Sequence, residues 1–270
     1  MEIRSGLIDI GVARLACDLR GEGTGVVLVH AGIGDRRMWG PQFDVLSRDY
    51  RVLQYDARGF GQSPLSTEEF SLADDLAALI EALDLGRVSL VGSSLGSLTA
   101  VEFAIAHPEK VHRLCLVPSS MLAPGFPAPE DTDDAGEAFA AGDAIRAAEL
   151  DYLQWVVGPD RLPQDVAPDV RELAMAMLQD FYRLHLGVVD PDVRFLEPSA
   201  RGRLPEVKAP ALIIVGDQDR QSIREAARWM ETSMPVVRLL RIGGAGHLVN
   251  LEQPERFNAA LLSFLGGDDD

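Results

Sequence analysis

The sequence predicts an α/β protein with a mostly parallel, doubly wound sheet and a helical lid insertion. Short apolar runs typical of buried strands alternate with helical patterns through residues 1–120 and again through 205–270. Such alternation is typical of a sheet covered by helices on both faces. It lapses over 121–204, where a stretch rich in Pro, Gly and acidic residues precedes further helical patterns. We therefore expect a core formed by 1–120 and 205–270 and a helical cap formed by 121–204.

Six segments have the composition of strands in the interior of such a sheet. Most are nearly continuous runs of Val, Leu and Ile, as expected where helices cover both faces of parallel strands. In chain order they cover 26–30, 50–56, 87–92, 111–117, 211–216 and 236–242.

Three core helices follow from the spacing of apolar residues and from the residues that start or end a helix. The first has one apolar stripe and ends at Gly86. Its stripe consists of Leu72, Leu76, Leu79, Ile80 and Leu83. The second stops before Pro108, and the last has Pro254 in its first turn. Two further helical patterns, at 143–157 and 166–187, belong to the insertion.

Composition excludes several classes of function. The net charge of −17 over 270 residues argues against binding a nucleic-acid backbone, which needs clustered Lys and Arg. Apolar runs are broken well before the ~20 residues that span a membrane, and MEIRSGLIDI lacks the pattern of an export signal. Cys17 and Cys115 lie far apart in apolar settings and are expected to be buried free thiols. These features predict a cytoplasmic protein, and the oligomeric state is not readable from them.

The stretch LVGSSLGSL, residues 90–98, contains three serines, of which one has the pattern of a nucleophile. A serine at a sharp strand-to-helix turn needs small residues two places before and after it, where chain packs on chain. Only Ser94 has glycine at both places, because Ser93 and Ser97 have larger residues there. The strand pattern before Ser94 and the helical pattern after it supply the required context. An ordinary glycine-flanked turn is the alternative interpretation.

A serine hydroxyl needs a neighbouring base, and that base needs an acid to orient it. The strand at 211–216 is followed by Asp217 and Asp219, and the strand at 236–242 is followed by a glycine-rich loop with His247. We assign the acid to Asp219, because it lies further past its strand and can turn toward the histidine. Asp217 is expected to be a turn residue that bonds its own backbone. A helix-capping role is the alternative for His247.

Taken together, VHAGIG, YDARGFGQS, VGSSLGS, VGDQD and GAGHLVNLEQPERF resemble the α/β-hydrolase superfamily over residues 20–120 and 205–266. The order of serine, acid and histidine is the one that belongs to this fold. The oxyanion hole needs fixed N–H donors, and Leu95, which follows the nucleophile at a helix N-terminus, supplies one. By resemblance, Gly32 supplies the other, with Ile33 as the alternative. Where the family usually has His-Gly, this chain has His30 followed by Ala31.

The insertion is expected to cover Ser94 and to contribute apolar residues to a substrate pocket. The candidates for the pocket are Ile33, Trp39, Trp155, Phe181, Tyr182 and Leu248, with Met175, Met177 and Leu178 also considered. Most of the candidates within the insertion could equally pack the lid onto the body. An acidic flank, expected to be a solvated loop, would disfavour strongly anionic substrates; it consists of Glu130, Asp131, Asp133 and Asp134.

No cofactor or metal is expected. The run AGIGDR hints at a dinucleotide fingerprint, but the third glycine of that motif would fall at Arg37. YDARGFGQS is interpreted as a structural turn in which Asp56 and Arg58 hold loops together. RRMWGPQ, residues 36–42, resembles the corresponding segment of enol-lactone hydrolases.

The sequence therefore predicts a serine hydrolase that cleaves a small-molecule carboxylic ester or lactone through an acyl-enzyme. Two other kinds of function are compatible with the same residues. The resemblance also allows carbon–carbon bond hydrolysis, cofactor-free perhydrolysis or lyase chemistry. A ligand receptor or signalling protein with little turnover is the alternative outside enzymes. The acyl and alcohol groups of the substrate depend on the lid and pocket rather than on the fold.

Overall fold

The computed structural model describes residues 4–127, 132–189 and 192–267. Its sheet contains eight strands in the order β1-β2-β4-β3-β5-β6-β7-β8. The strands are β1 (Arg4–Asp9), β2 (Arg14–Arg20), β3 (Gly25–Val29), β4 (Arg51–Tyr55), β5 (Val88–Ser93), β6 (Val111–Val117), β7 (Ala211–Gly216) and β8 (Val237–Ile242). β2 pairs antiparallel with β1 and β4, and all other pairs are parallel. The predicted mostly parallel sheet is confirmed.

The strands β1 and β2, which were not predicted, form a hairpin at one edge of the sheet. Most side chains of β1 are exposed, and the strand contains Gly6 rather than a continuous apolar run. β2 is buried over Leu15, Ala16 and Cys17, but charged residues interrupt its apolar pattern. Edge strands with one solvated face lack the composition of interior strands.

Helices cover both faces of the sheet. The α-helices are α1 (Gly40–Leu46), α2 (Leu72–Ala82), α3 (Leu95–Ala106), α4 (Asp134–Ala140), α5 (Ala144–Asp151), α6 (Pro168–His185), α7 (Ala200–Arg203), α8 (Gln221–Ser233), α9 (Val249–Glu252) and α10 (Pro254–Gly266). Short 3₁₀ helices span Arg36–Trp39, Pro108–Lys110, Ser120–Leu122, Pro163–Asp165 and Leu204–Glu206. A π-helical turn, Tyr152–Val157, follows α5 directly. β3, β5 and β7 are buried along their whole length between these layers.

The start of α2 is capped by a side chain, and its end differs from the prediction. Ser71 accepts a hydrogen bond from the Asp74 amide, which satisfies one of the free N–H groups of the first turn. The helix ends at Ala82 rather than at Gly86. Asp84 takes a φ of 47° and Gly86 a φ of 65°, so the chain leaves the helical conformation before the glycine.

Helices α4, α5 and α6 lie in the connection between β6 and β7, where the helical patterns predicted α5 and α6 but not α4. They share one apolar cluster with the body of the protein, in which Ala148, Tyr152 and Leu178 join Val91 and Val117. Of the acidic flank, Glu130 and Asp131 lie outside the described residues. The structure corrects the prediction of a loop for Asp134, which begins α4.

The two cysteines are free and buried. Burial raises the pKa of the Cys17 thiol to about 12 and also raises that of Cys115. Among the described residues, no helix has the length and the apolar composition that would let it traverse a bilayer.

Candidate active site

Ser94 lies at the turn between β5 and α3, in a backbone conformation that non-glycine residues rarely adopt. Its φ is 52° and its ψ is −115°. A Cβ atom on Gly92 would lie 2.4 Å from the Gly96 carbonyl oxygen, and one on Gly96 would lie 2.1 Å from the Val29 carbonyl oxygen. Both distances are far too short for a side chain, so the turn requires glycine at these two places. The Ser94 amide donates to the Val117 carbonyl oxygen at 2.9 Å, which joins the turn to β6.

The strand ends of β7 and β8 bring Asp219 and His247 into contact. The distance from Asp219 Oδ2 to His247 Nδ1 is 2.9 Å, and both side chains are almost fully buried. Asp219 Oδ1 accepts a second hydrogen bond, from the Arg220 amide at 2.7 Å. Because a carboxylate only accepts, Nδ1 carries the proton in this contact. Nε2 of the neutral ring is then left with a lone pair that can take a proton.

Asp217 connects the loop after β7 to the loop after β8. Its Oδ1 accepts a hydrogen bond from the Gly244 amide at 2.8 Å, rather than the predicted bond from its own backbone. A Cβ atom on Gly216 would lie 2.2 Å from the Ala245 carbonyl oxygen, so the two loops meet where a side chain has no room. This packing, with the bond from Asp217, positions the histidine loop beside Asp219.

His247 Nε2 is buried and has no hydrogen-bond partner among the residues that the structure describes. The bond from Ser94 Oγ to Nε2 that a relay would use is therefore not formed in this arrangement. An unpaired buried acceptor costs about 1–3 kcal/mol, so it is uncommon outside sites that use it. The imidazole is available to accept a proton from a hydroxyl group.

Ser94 opens into a cavity of about 430 Å³ between the sheet and the insertion. On the sheet side it is lined by Gly32, Ile33, Ser94, Leu95, Ser119, Ser120 and Met121. On the insertion side it is lined by Phe126, Pro127, Thr132, Asp133, Ala135, Gly136, Asp151, Gln154, Trp155 and Tyr182. The two candidate oxyanion positions, Gly32 and Leu95, thus face the same space as Ser94.

The loop that carries Gly32 is held by the side chain of His30 and by a backbone turn within the loop. His30 Nε2 accepts from the Ala57 amide at 2.9 Å, and the Gly34 amide donates to the Ala31 carbonyl oxygen at 3.0 Å. A Cβ atom on Gly32 would lie 3.5 Å from Leu95 Cδ2, so the loop packs directly on the first residue of α3.

The expected pocket residues divide between the cavity, the core and a second cavity. Ile33, Trp155 and Tyr182 line the cavity at Ser94. The predictions for Trp39 and Leu248 are wrong, because both side chains are fully buried in the core. The Trp39 ring packs 6.2 Å from that of Phe257. An apolar type alone does not show whether a side chain faces a cavity or the core.

Phe181 lines a separate apolar cavity of about 170 Å³ on the other side of Leu95. There its ring stacks on Phe60 with 5.1 Å between ring centres. Met177 and Leu178 are buried in the apolar cluster that joins the insertion to the body, and Met175 is partly buried against it. These residues pack the insertion onto the sheet rather than lining the cavity at Ser94.

Trp155 is positioned by the π-helical turn and contacts both the cavity and the histidine. Its ring centre lies 5.7 Å from that of His247. The Arg220 guanidinium stacks over the indole at 4.6 Å and donates to the Gln154 carbonyl oxygen at 3.1 Å. Since Arg220 directly follows Asp219, this stack connects the loop of the acid to the insertion.

Two carboxylates in the cavity wall were not recognised as such from sequence. Asp133 was predicted to lie in a solvated loop, and although exposed it borders the cavity. Asp151 was not singled out, and its Oδ2 accepts from the Tyr182 hydroxyl at 2.6 Å. Burial raises the pKa of Asp151, and the nearby charge of Asp133 raises it further. The only available signal was the spacing of four residues between Asp151 and Trp155, which places both on one helical face.

A buried ion pair that the sequence did not predict holds the histidine loop. Arg161 and Glu252 form a bidentate pair whose side chains are 4% and 6% exposed. Glu252 Oε1 also accepts from the Gly246 amide at 2.9 Å, next to His247. Arg161 Nε donates to the Val157 carbonyl oxygen at 2.8 Å, at the end of the π-helical turn.

The turn YDARGFGQS has the contacts expected of a structural element. Asp56 is fully buried and accepts from the backbone amides of Arg36 and Gln62. Arg58 pairs with Asp75 on α2 through a buried bidentate contact. No group of three or more His, Cys, Asp or Glu side chains that could hold a metal occurs within residues 4–127, 132–189 and 192–267.

Comparison with known proteins gives one family and a consistent set of relatives. A model described as the alpha/beta hydrolase family matches residues 26–260. The 2-hydroxy-6-oxononadienedioate/2-hydroxy-6-oxononatrienedioate hydrolase of Burkholderia vietnamiensis is 31% identical over 229 residues, which are 80% of this chain and 76% of that protein.

Two solved structures are similar in fold along nearly the whole chain. The enol-lactonase from Burkholderia xenovorans LB400 has a TM-score of 0.78 at 24% identity, covering 97% of this chain and 100% of that one. Carboxylesterase CesB from Bacillus subtilis has a TM-score of 0.77 at 22% identity, covering 99% of this chain and 93% of that one.

Proposed function

Because this chain belongs to the alpha/beta hydrolase family, we propose that it is a serine hydrolase that cleaves a carboxylic ester or lactone with Ser94 as nucleophile. The single observation that carries the proposal is the strained conformation of Ser94, whose φ is 52° at a turn between strand and helix. Strain of this kind costs about 1–3 kcal/mol and persists where the position of the side chain matters. At Ser94 it presents a hydroxyl to the cavity.

In the proposed mechanism, Ser94 Oγ attacks the substrate carbonyl carbon while His247 Nε2 takes the hydroxyl proton. The Asp219 carboxylate, bonded to Nδ1 at 2.9 Å, stabilises the imidazolium that results. The backbone amides of Leu95 and Gly32 donate to the oxygen that becomes negative, with Ile33 as the alternative to Gly32. His247 returns its proton to the leaving alcohol oxygen, which leaves an acyl group on Ser94. Water then attacks the acyl carbon while His247 Nε2 takes a proton from it. The bond between the acyl carbon and Ser94 Oγ breaks, His247 returns the proton to Oγ, and the acid is released.

The experiment that tests this proposal is turnover of a short-chain p-nitrophenyl ester by Ser94→Ala. Ser93→Ala and Ser97→Ala are matched controls, because both hydroxyls are buried and make no hydrogen bond within the described part of the chain. We expect Ser94→Ala to lose turnover while both controls keep it. Unchanged turnover in Ser94→Ala, at equal folded content, overturns the assignment.

A second chemistry is favoured by one relative. The 31% identical protein is named for a keto dicarboxylate rather than for an ester. The same nucleophile and base could serve hydrolysis of a carbon–carbon bond beside a ketone, and cofactor-free perhydrolysis is a further alternative. Comparing the rates on matched esters, lactones and vinylogous diketones separates these chemistries. A receptor with little turnover would be labelled by a fluorophosphonate but would hydrolyse none of these esters, lactones and diketones.

The proposed substrate is a small molecule, and we place the protein in the cytoplasm. Two buried free cysteines support a reducing compartment. The net charge of −17 argues against nucleic acid as a partner.

A further inference from the structure

We propose that the cavity at Ser94 selects substrates carrying a positively charged ammonium group and rejects substrates carrying a carboxylate. This inference rests on the proposed function, since it concerns the substrate class of the same site. The reacting site itself is indicated by Ser94 and by the buried, unpartnered Nε2 of His247, and not by acidic residues. What the acidic residues determine is which charge the cavity accepts.

The first observation is the sign of the charges in the cavity wall. Asp133 and Asp151 both line the cavity, and no lysine, arginine or histidine is among the described residues that line it. Arg220, which stacks on the indole of Trp155 and donates to the Gln154 carbonyl oxygen, is not among the residues that line the cavity. Arg220 belongs to a layer behind the wall rather than to the wall.

The sequence around the cavity extends the same charge. Between Met121 and Ile145 there is no lysine, arginine or histidine. The acidic residues of that stretch are Glu130, Asp131, Asp133, Asp134, Glu137 and Asp143. A carboxylate on the substrate would meet Asp133 and Asp151, and the described residues that line the cavity include no cation to compensate for them.

The second observation concerns how the two carboxylates are held. Asp151 is partly buried, and its single described side-chain bond is from the neutral Tyr182 hydroxyl at 2.6 Å. Burial and the neighbouring Asp133 both oppose the ionised form of Asp151 and raise its pKa. A cation placed between the two carboxylates would offset both effects. Asp133 lies over Gly136, where a Cβ atom would come within 2.3 Å of its Oδ1.

The third observation is that aromatic side chains line the same cavity. Trp155, Tyr182 and Phe126 contribute to its wall beside the carboxylates. Quaternary and primary ammonium groups are attracted to aromatic rings as well as to carboxylates. The wall thus combines two kinds of group that bind organic cations, within a cavity large enough for a small ester.

The test uses two sets of esters in which the cationic and neutral members are isosteres and the third member carries a carboxylate at a similar distance. Butyrate esters of choline, of its neutral isostere 3,3-dimethylbutanol and of 4-hydroxybutanoate place a cation, no charge or a carboxylate in the alcohol. A second set, p-nitrophenyl esters of 4-(trimethylammonio)butanoate, 5,5-dimethylhexanoate and monoanionic glutarate, places the same groups in the acyl part. We expect kcat/KM at least about tenfold higher for the cation than for the neutral isostere in one of the two sets. The carboxylate should be the poorest substrate in that set.

Variants identify the residues responsible. Asp151→Asn and Asp133→Asn should each lower the ratio of kcat/KM for the cationic ester to kcat/KM for its neutral isostere, and the melting temperature of each variant reports correct folding. Glu137→Gln removes the same charge from an exposed position of α4 that does not line the cavity, and should keep the preference. Added salt should weaken the preference.

Failure of this inference and failure of the proposed function give different results. Turnover of neutral esters with no cation preference in either set overturns the charge selection alone. A preference unchanged in the double variant of Asp133 and Asp151 overturns it as well. Absence of turnover for every ester, together with absence of fluorophosphonate labelling of Ser94, overturns the proposed function and with it the substrate class.

Discussion

At the scale of single residues, the contact between Asp219 and His247 determines which ring nitrogen is free to act as a base. Asp219→Asn keeps the size of the side chain but removes the charge that stabilises an imidazolium. We expect kcat for a short ester to fall about a thousandfold to ten-thousandfold, because the histidine loses its orientation and its counter-charge. The measurement is steady-state kinetics on protein of verified melting temperature.

Asp217→Asn is the control for this prediction. Asp217 lies two residues away, and its Oδ1 accepts from the Gly244 amide, a bond that an asparagine oxygen can also accept. Its kcat should stay close to that of the unmodified protein. If Asp217→Asn loses as much activity as Asp219→Asn, the acid has been assigned to the wrong residue.

Local patterns predicted the turn at Ser94 and the contact between Asp219 and His247 better than they predicted the cavity. Each of the three candidates, Ser94, Asp219 and His247, follows a strand. Gly92 and Gly96 identify Ser94 as the serine of the turn, because the turn has no room for a side chain at these two places. Trp39 and Leu248 were placed in the pocket because of their type, yet they fill the core. Which face of a loop points inward depends on contacts between segments distant in sequence, and no local spacing encodes those contacts.

At the scale of elements, the pair of Arg161 and Glu252 joins the insertion to the loop of His247. Arg161→Met leaves the Glu252 carboxylate buried without its partner, which typically costs about 3–5 kcal/mol. We expect this loss in the free energy of unfolding, together with a lower kcat because Glu252 also holds the Gly246 amide. Chemical denaturation and ester kinetics measure the two effects.

Adding Glu252→Gln to Arg161→Met removes the unpaired charge and should restore part of the lost stability. Arg146→Met is the matched surface control, because its pair with Glu149 is about half exposed. That change should cost less than about 1 kcal/mol. If Arg161→Met were as mild as Arg146→Met, the pair would have no role in holding the loop.

Elements with a strong apolar pattern were predicted, and elements that depend on their neighbours were not. All six predicted strands are present, as are helices at the three predicted core positions and within the insertion. β1 and β2 were missed because an edge hairpin with a solvated face has no continuous apolar run. The end of α2 was predicted at Gly86 instead of Ala82, because no obvious sequence signal indicates that Asp84 takes the left-handed conformation.

At the scale of the whole molecule, the two thiols report on both layers of the core. Cys17 and Cys115 belong to different apolar clusters, one on each side of the sheet. Burial raises the pKa of each thiol, so little thiolate is present at pH 8. We expect alkylation of both to be at least about a hundredfold slower in native buffer than in urea. Mass spectrometry across a denaturant series should show both thiols becoming reactive in the same transition.

Rapid labelling of one thiol in native buffer would show that its layer opens independently. The structure predicts the opposite, because Cys17 lies in β2, where it is paired with both β1 and β4, and Cys115 lies in the buried part of β6.

The superfamily and the fold were predictable from sequence, and both are confirmed by the family model and by the sheet order. The shape and charge of the cavity were not, because they arise only when the insertion packs over the strand ends.

The most direct measurement of the central claim is the site of covalent labelling by a fluorophosphonate, mapped by peptide mass spectrometry. The account predicts a single adduct on Ser94 that is strongly reduced in His247→Gln, because the hydroxyl reacts only when the imidazole accepts its proton. An adduct on another serine, or labelling of Ser94 that does not depend on His247, would contradict it.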